Sequence, residues 1–348
     1  MKNRVKNRTL ALLFFLLFIF SLFSCTEEDP EPNNRIIYGY FDTVCAIYDY
    51  SGMSAEEFST LARDVEAAIA HYHRLFNIHE EYEGVVNLAT LNRLAGGEAL
   101  EVSEDIIELL LFCEEMYRTT GGKVNYAMGA VTSLWKTLCA KEARIPTAAE
   151  LAEAGEHISP DTVKIDAQNR TVRILDEHQS LDVGAIAKGY TAELIKRELS
   201  SAGHSGIVLD MGGNLCALGA KPSGKGWESG IRNPLYYEGG EDPYVRTVTL
   251  IDASLVTSGV YERYYTIDGK RYHHIIDPET LMPEYRYLSV TVHTADSGIA
   301  DALSTAIFNM DLSAAEAFVA ALGKEAEITL VLPDGNAKIL TSKNKKLE

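Results

Sequence analysis

Asp182-Val183-Gly184-Ala185-Ile186-Ala187-Lys188-Gly189-Tyr190 opens a helical stretch running to Leu199, and Ile207-Val208-Leu209-Asp210-Met211 follows as a buried strand stopped by Gly212-Gly213. On both sides strands and helices alternate irregularly, with no internal repeat. Upstream, Thr43 to Tyr48 reads as a strand. Ala55 to His73 is a helix by its apolar spacing, with Ser54 as N-cap. Asp105 to Thr119 is a second helix, capped by Ser103 and closed by Gly121-Gly122. Thr147 starts a short acidic helix, and Val163-Lys164-Ile165 and Thr171 to Ile174 are strand pieces around an Asn-Arg turn. Downstream, Val245 to Ile251, Ala253 to Ser258, Ser289 to His293 and Ile328 to Leu332 are strands. Ala300 to Met310 and Leu312 to Leu322 are helices. Irregular alternation with several hairpins favours an α+β domain over a regular parallel sheet.

Three polar signatures stand on this frame. In the 182–190 turn, Gly184 permits tight backbone geometry. The helix-start amides and Lys188 then form an anion site, while carbonyls of the same turn face a cation. A capped helix start with a surface lysine fits the same residues. Asp301 and Thr305 are four apart on a helix and share one face. A carboxylate and a hydroxyl there are hard oxygen ligands of the kind magnesium takes, with water and ligand phosphates completing the octahedron. The plain alternative is an Asp favoured by the helix dipole beside a packed Thr. His273 and His274 precede Ile275-Ile276-Asp277-Pro278. Alternation sends the two rings to opposite sides, so one enters a site, where it can bind phosphate or move a proton. Gly212-Gly213-Asn214 and Thr257-Ser258-Gly259 are weaker marks of close backbone approach. Trp135, Tyr126 and Phe41 are equally core residues or stacking partners.

The 348-residue chain carries 32 basic and 50 acidic residues, a formal charge of −18. So acidic a surface argues against nucleic acid and against electrostatic docking on anionic lipid. Lys2, Arg4, Lys6 and Arg8 precede an uncharged apolar run from Leu10 to Phe23, ending at Ser24-Cys25. This reads as a lipoprotein-type signal peptide over 1–24, with Cys25 lipidated. Residues 25–36 then form a polar, proline-bearing tether. The run is short for a spanning helix. Cys45, Cys113, Cys139 and Cys216 share no CxxC spacing and sit in apolar stretches, as buried free thiols do.

Over 37–340 the chain resembles the ApbE family of FAD:protein FMN transferases. The family's Asp-x-Gly-x-Ile-Ala-Lys-Gly-Tyr stands at 182–190, and its Gly-Gly-(Asn/Glu)-x-x-x-x-Gly at 212–219. Thr-Ser-Gly-x-Tyr stands at 257–261, Tyr-x-His-Ile-Ile-Asp-Pro at 272–278 and Asp-Ala-Leu-Ser-Thr at 301–305. The resemblance implies one ApbE-like, T-fold-related α+β domain over 37–348. It has two lobes, with mixed or antiparallel sheets flanked by helices. It implies a magnesium ion held by Asp301, Thr305 and the Ala185 carbonyl, and FAD contacts from Asp182, Lys188 and His274. Phe41 aligns with an early Met-Gly-Thr and is expected against the flavin or adenine. Lys123-Val124-Asn125 takes the place of an Ala/Ala-Phe-Asp that lines the FAD pocket, so Asn125 replaces an aspartate. His79 falls near a usually aromatic position, beside an apparent insertion from Glu80 to Val86.

The implied reaction is magnesium-dependent transfer of FMN from FAD to a Thr or Ser hydroxyl, releasing AMP. The acceptor would be an exported or membrane redox protein, the enzyme itself lipid-anchored in a bacterial cell envelope, facing the periplasm or the surface. His274 is the first candidate for proton transfer and Asp301 the second. Two alternatives use the same residues: a magnesium-dependent FAD pyrophosphatase, and a non-catalytic FAD-binding lipoprotein.

Overall fold

The computed structural model describes Asp29 and residues 31–236 and 239–342. The proposed signal peptide and Cys25 lie outside the described residues. Fifteen strands are described: β1 (Asn33–Tyr40), β2 (Thr43–Asp49), β3 (Leu100–Glu101), β4 (Val163–Asp166), β5 (Thr171–Ile174), β6 (Ile207–Met211), β7 (Asn214–Leu218), β8 (Trp227–Arg232), β9 (Tyr244–Leu250), β10 (Ser254–Gly259), β11 (Tyr264–Ile267), β12 (Lys270–His273), β13 (Ser289–Thr294), β14 (Ala326–Val331) and β15 (Ala337–Thr341). Eight of them form one sheet in the order β1-β2-β6-β7-β10-β13-β14-β15. Every strand pairing among the described residues is antiparallel. The architecture is therefore α+β, as the irregular alternation predicts.

Pleat decides which side of the sheet each residue serves. On β6, Ile207, Leu209 and Met211 enter the main core with Cys45 and Ile47 of β2. Val208 points the other way, into a smaller cluster with Trp227, Ile231 and Leu250 of the β8–β9 hairpin. The main core is covered by the helices Ala55–Phe76, Glu104–Thr119, Ala187–Ser201 and Ser297–Phe308. A third cluster, with Met128, Trp135, Leu151 and Tyr272, unites the Gly129–Thr137 and Ala148–Gly155 helices with β11–β12. It forms the second lobe.

Two helices matter most for function. Ala187–Ser201 and Ser297–Phe308 lie side by side, stapled by charge. Buried Glu193 accepts the Ser297 N–H at 3.0 Å and pairs with Lys196 at 2.7 Å and Arg197 at 3.1 Å. Arg197 also reaches Asp296, the N-cap of the second helix, at 2.9 Å. Partnered in this way, the buried carboxylate has its oxygens occupied by a backbone donor and two cations.

Local readings hold or fail for identifiable reasons. Ser54 and Thr147 each make a capping box, with Glu57 and Glu150. Ser103 occupies the N-cap of Glu104–Thr119 but makes no capping bond, and its hydroxyl is buried without a partner among the described residues. Strand β1 begins at Asn33, inside the segment assigned to the tether. The Asn33 amide binds Asp49 at 3.1 Å and the Met53 carbonyl at 3.0 Å, which fastens the strand start to the body. Cys45, Cys113, Cys139 and Cys216 are free and buried. No helix among the described residues is long and apolar enough to cross a membrane.

Candidate active site

The site grows from the crossing of the two stapled helices. A Cβ on Gly189 would collide with the Ser297 carbonyl and lie 2.5 Å from the Asp301 Cβ. Only glycine lets the two backbones approach so closely. Gly189 stands in the first turn of its helix, after the N-cap Ile186, where a backbone N–H has no partner within the helix. That N–H donates to Asp301 Oδ2 at 2.8 Å, which ties the second helix to the start of the first.

Asp301 is 4% exposed. Burial raises its pKa above the ordinary carboxylate value, opposed by the Lys188 cation and the Gly189 N–H. Asn214, at the start of β7, lies beside the same carboxylate and also favours its charged form. Yet its buried amide nitrogen makes no well-formed hydrogen bond among the described residues. One turn on, Thr305 Oγ1 lies 3.2 Å from Ser258 Oγ. Ser258 also meets Ser304 Oγ at 2.8 Å, and Ser304 donates to the Asp301 carbonyl at 2.9 Å. Strand β10 thus fixes the hydroxyl side of the site through Ser258.

Asp182 braces the turn from the other side. Its Oδ1 accepts the Gly184 N–H at 2.9 Å and its Oδ2 the Thr132 hydroxyl at 2.7 Å. His273 and His274 part company where β12 ends. His273 is 1% exposed; Ile275 N–H donates to its Nδ1 at 3.3 Å, and its Nε2 lies 3.1 Å from the Glu284 carbonyl. Burial lowers its pKa to about 4. His274 is exposed at its rim. Its Nδ1 lies 3.0 Å from the Arg263 carbonyl and so carries the proton, leaving Nε2 as the acceptor. The protein packed round the ring lowers its pKa, with Arg263 and Lys188 adding to the effect. Solvent at the open edge limits that depression.

The Phe41–Asp42 turn closes the hairpin between β1 and β2, and both residues have φ of 51°. Left-handed backbone at two non-glycine residues costs about 1–2 kcal/mol each. The turn is held nonetheless. Phe41 N–H donates to His73 Nδ1 at 3.2 Å, and Arg263 Nη2 donates to the Asp42 carbonyl at 3.0 Å. Phe41 meets the His73 ring edge-on at 5.3 Å.

Other sequence candidates lie differently. Val124 is 3% exposed and belongs to the main core, so its side chain is committed to packing. Asn125 is a loop brace: its amide nitrogen donates to the Ile158 carbonyl and its oxygen accepts the Ala127 N–H, both at 2.9 Å. Lys123 pairs with Glu279 at 3.0 Å and lies 3.5 Å from buried Asp277. His79 is exposed, with Nε2 3.1 Å from Lys136 Nζ. Trp135 is core, donating to the Leu281 carbonyl at 2.9 Å. Sequence reading missed His73, Thr132 and Arg263. Each lies in a segment whose spacing signals only helix, strand or turn. A groove of about 320 Å³ lies on the outer face of the sheet, lined by Ile36, Val44, Tyr48 and Asp210. It meets the site region only at Thr43 and the Gly212-Gly213 turn.

The oxygens on the second helix are the Asp301 carboxylate and, one turn on, the Thr305 hydroxyl. They suit a hard divalent cation that keeps waters and takes phosphate oxygens as further ligands. No group of three or more His, Cys, Asp or Glu with metal-binding geometry occurs among the described residues, as a soft-metal site would need.

Comparison with known proteins fits this geometry. The model of the ApbE family matches residues 41–330. The chain is 32% identical over 280 residues to the FAD:protein FMN transferase of Treponema pallidum, covering 76% of this chain and 75% of that one. It is 29% identical over 288 residues to an FAD:protein FMN transferase of Klebsiella pneumoniae, covering 82% and 86%. The crystal structure of the ApbE protein of Thermotoga maritima superposes with a TM-score of 0.79 at 27% identity, over 91% of this chain and 99% of that one. The flavin transferase ApbE of Vibrio cholerae shares the fold, with a TM-score of 0.73 at 22% identity over 90% and 98%.

Proposed function

This chain belongs to the ApbE family, and on that premise we propose that it transfers FMN from FAD to a Thr or Ser hydroxyl of an exported or membrane redox protein, releasing AMP. The observation that supports the reading is the Gly189 N–H bond to Asp301, which brings the 182–190 turn, with its Ala185 carbonyl, to the helix that carries Asp301 and Thr305. Those three oxygens would hold magnesium. When bound, the ion supplies positive charge to the pyrophosphate oxygens of FAD.

This chain's own residues do the rest. Lys188 and the amides of the helix start draw the pyrophosphate to the turn. His274, protonated on Nδ1, offers Nε2 to the acceptor hydroxyl as its proton leaves. The hydroxyl oxygen bonds to the FMN-side phosphorus, the bond to the bridging oxygen breaks, and AMP departs with the electron pair. Asp301 cannot readily serve as the base, because its carboxylate already takes the Gly189 N–H. The apolar run ending at Ser24-Cys25 supports a lipid anchor at Cys25, and with it a position in the cell envelope.

Two experiments test these assignments. AMP release from FAD is measured with and without a threonine-bearing acceptor peptide. Release that needs the peptide supports transfer, and equal release of AMP and free FMN without it means that water is the nucleophile. Metabolic labelling with palmitate tests the anchor: label that persists in Cys25→Ala would exclude lipidation at that residue.

A further inference from the structure

We propose that Arg263 is a positioning residue that clamps the strained Phe41–Asp42 turn against His274, so that the flavin-side wall and the proton acceptor are set by one side chain. The inference rests on the transferase reading and extends it to a residue outside the ligand and proton machinery. The geometry is a two-ended contact. At one end the Arg263 guanidinium donates to the Asp42 carbonyl at 3.0 Å. At the other, the Arg263 carbonyl accepts both the backbone N–H of His274 at 3.1 Å and its ring Nδ1 at 3.0 Å. No other residue joins the turn to that histidine by hydrogen bonds among the described contacts.

The turn needs such a clamp. Phe41 and Asp42 both hold φ of 51°, a region that glycine or asparagine enters easily and phenylalanine does not. Without an external bond the two-residue hairpin would relax, carrying the Phe41 ring with it. Arg263 is exposed and pairs with no carboxylate among the described residues, so its directed bond is to the turn. Its neighbour Arg232 instead pairs with Glu262 at 3.5 Å. The His73 Nδ1 bond to Phe41 N–H holds the inner side of the same turn and cannot replace a bond to the Asp42 carbonyl on the other.

The test is FAD binding by the full-length protein, read from quenching of flavin fluorescence, with thermal melting as the folding control. Arg263→Ala should weaken FAD binding about tenfold, and Arg263→Lys should recover part of it. The decisive variant is the double replacement Arg263→Ala with Asp42→Gly. Glycine takes the left-handed conformation without strain, so the turn should hold unaided and affinity should return to within about threefold of wild type. Arg263→Ala that binds FAD as wild type does would overturn the proposal. So would a double variant that melts normally and stays as weak as Arg263→Ala, because Arg263 would then act by charge alone. Wild-type protein that binds no FAD would overturn the functional reading, and this inference with it, before any variant is compared.

Discussion

At Asn125 a neutral amide stands where the resemblance led us to expect a carboxylate lining the FAD pocket. The structure supplies a different reason for the residue. A carbonyl from Ile158 needs a donor and the Ala127 N–H needs an acceptor, and only an amide offers both. Asn125→Asp should therefore destabilise the protein by about 1–2 kcal/mol, since the carboxylate would face the Ile158 carbonyl with no proton between them. Urea unfolding of the two proteins at neutral pH measures this. Equal midpoints would mean that the brace contributes nothing. The reverse holds for Asp301, whose chemistry was plain in the Asp-Ala-Leu-Ser-Thr signature. The resemblance also named the Ala185 carbonyl; what it did not name is the Gly189 N–H bond to Asp301, because that bond depends on how closely two helices approach.

Among elements, the decisive contact is the crossing of Ala187–Ser201 and Ser297–Phe308. Gly189 reads in the sequence as a helix-weakening residue inside a motif. In the fold it lies where the Ser297 carbonyl of the second helix meets the backbone of the first, next to the approach of Gly298 to Tyr190. Gly189→Ala should cost about 3 kcal/mol of stability through overpacking. It should cost far more in function, because separating the helices removes the Gly189 N–H from the Asp301 carboxylate. Thermal melting with and without magnesium separates the two effects. On the proposed reading the cation should raise the melting temperature of the wild type, and the variant should lose that rise. A preserved rise would show that the crossing does not shape the cation site. Helices with strong periodicity and caps were legible to within a few residues, as at Ala55–Phe76 and Ala148–Gly155. The short Leu88–Arg93 helix and the β11–β12 hairpin were not, since neither is long enough to display a period.

Across the whole molecule, the large antiparallel sheet is a platform with its helices on one face and a hairpin on the other. The site forms at the end of that platform, where β7, β10 and the end of β12 meet the two stapled helices. The strand order could not be read from the chain, because register depends on partners far apart in sequence. The α+β class could, because hairpin spacing is local. One global property follows from a residue the chemistry does not use. His273 is buried and neutral, with a folded pKa of about 4 against about 6.5 for a free histidine. Its folded pKa is depressed, so the unfolded chain binds the extra proton first. The stability it lends is complete above about pH 6.5 and is lost as pH falls toward 4, amounting to about 3 kcal/mol. Guanidinium unfolding across that range should show this slope, and His273→Gln, which keeps a donor and an acceptor, should flatten it. An unchanged slope would assign the acid sensitivity to other groups.

The central claim is that Asp301, Thr305 and the Ala185 carbonyl hold the cation that makes FMN transfer possible. The most direct test is the intact mass of a threonine-bearing acceptor peptide after incubation with the protein, FAD and magnesium. The account predicts a gain equal to FMN less water, absent when magnesium is chelated and absent with Asp301→Ala. An adduct of the same yield from Asp301→Ala, or from the wild type in excess chelator, would contradict it.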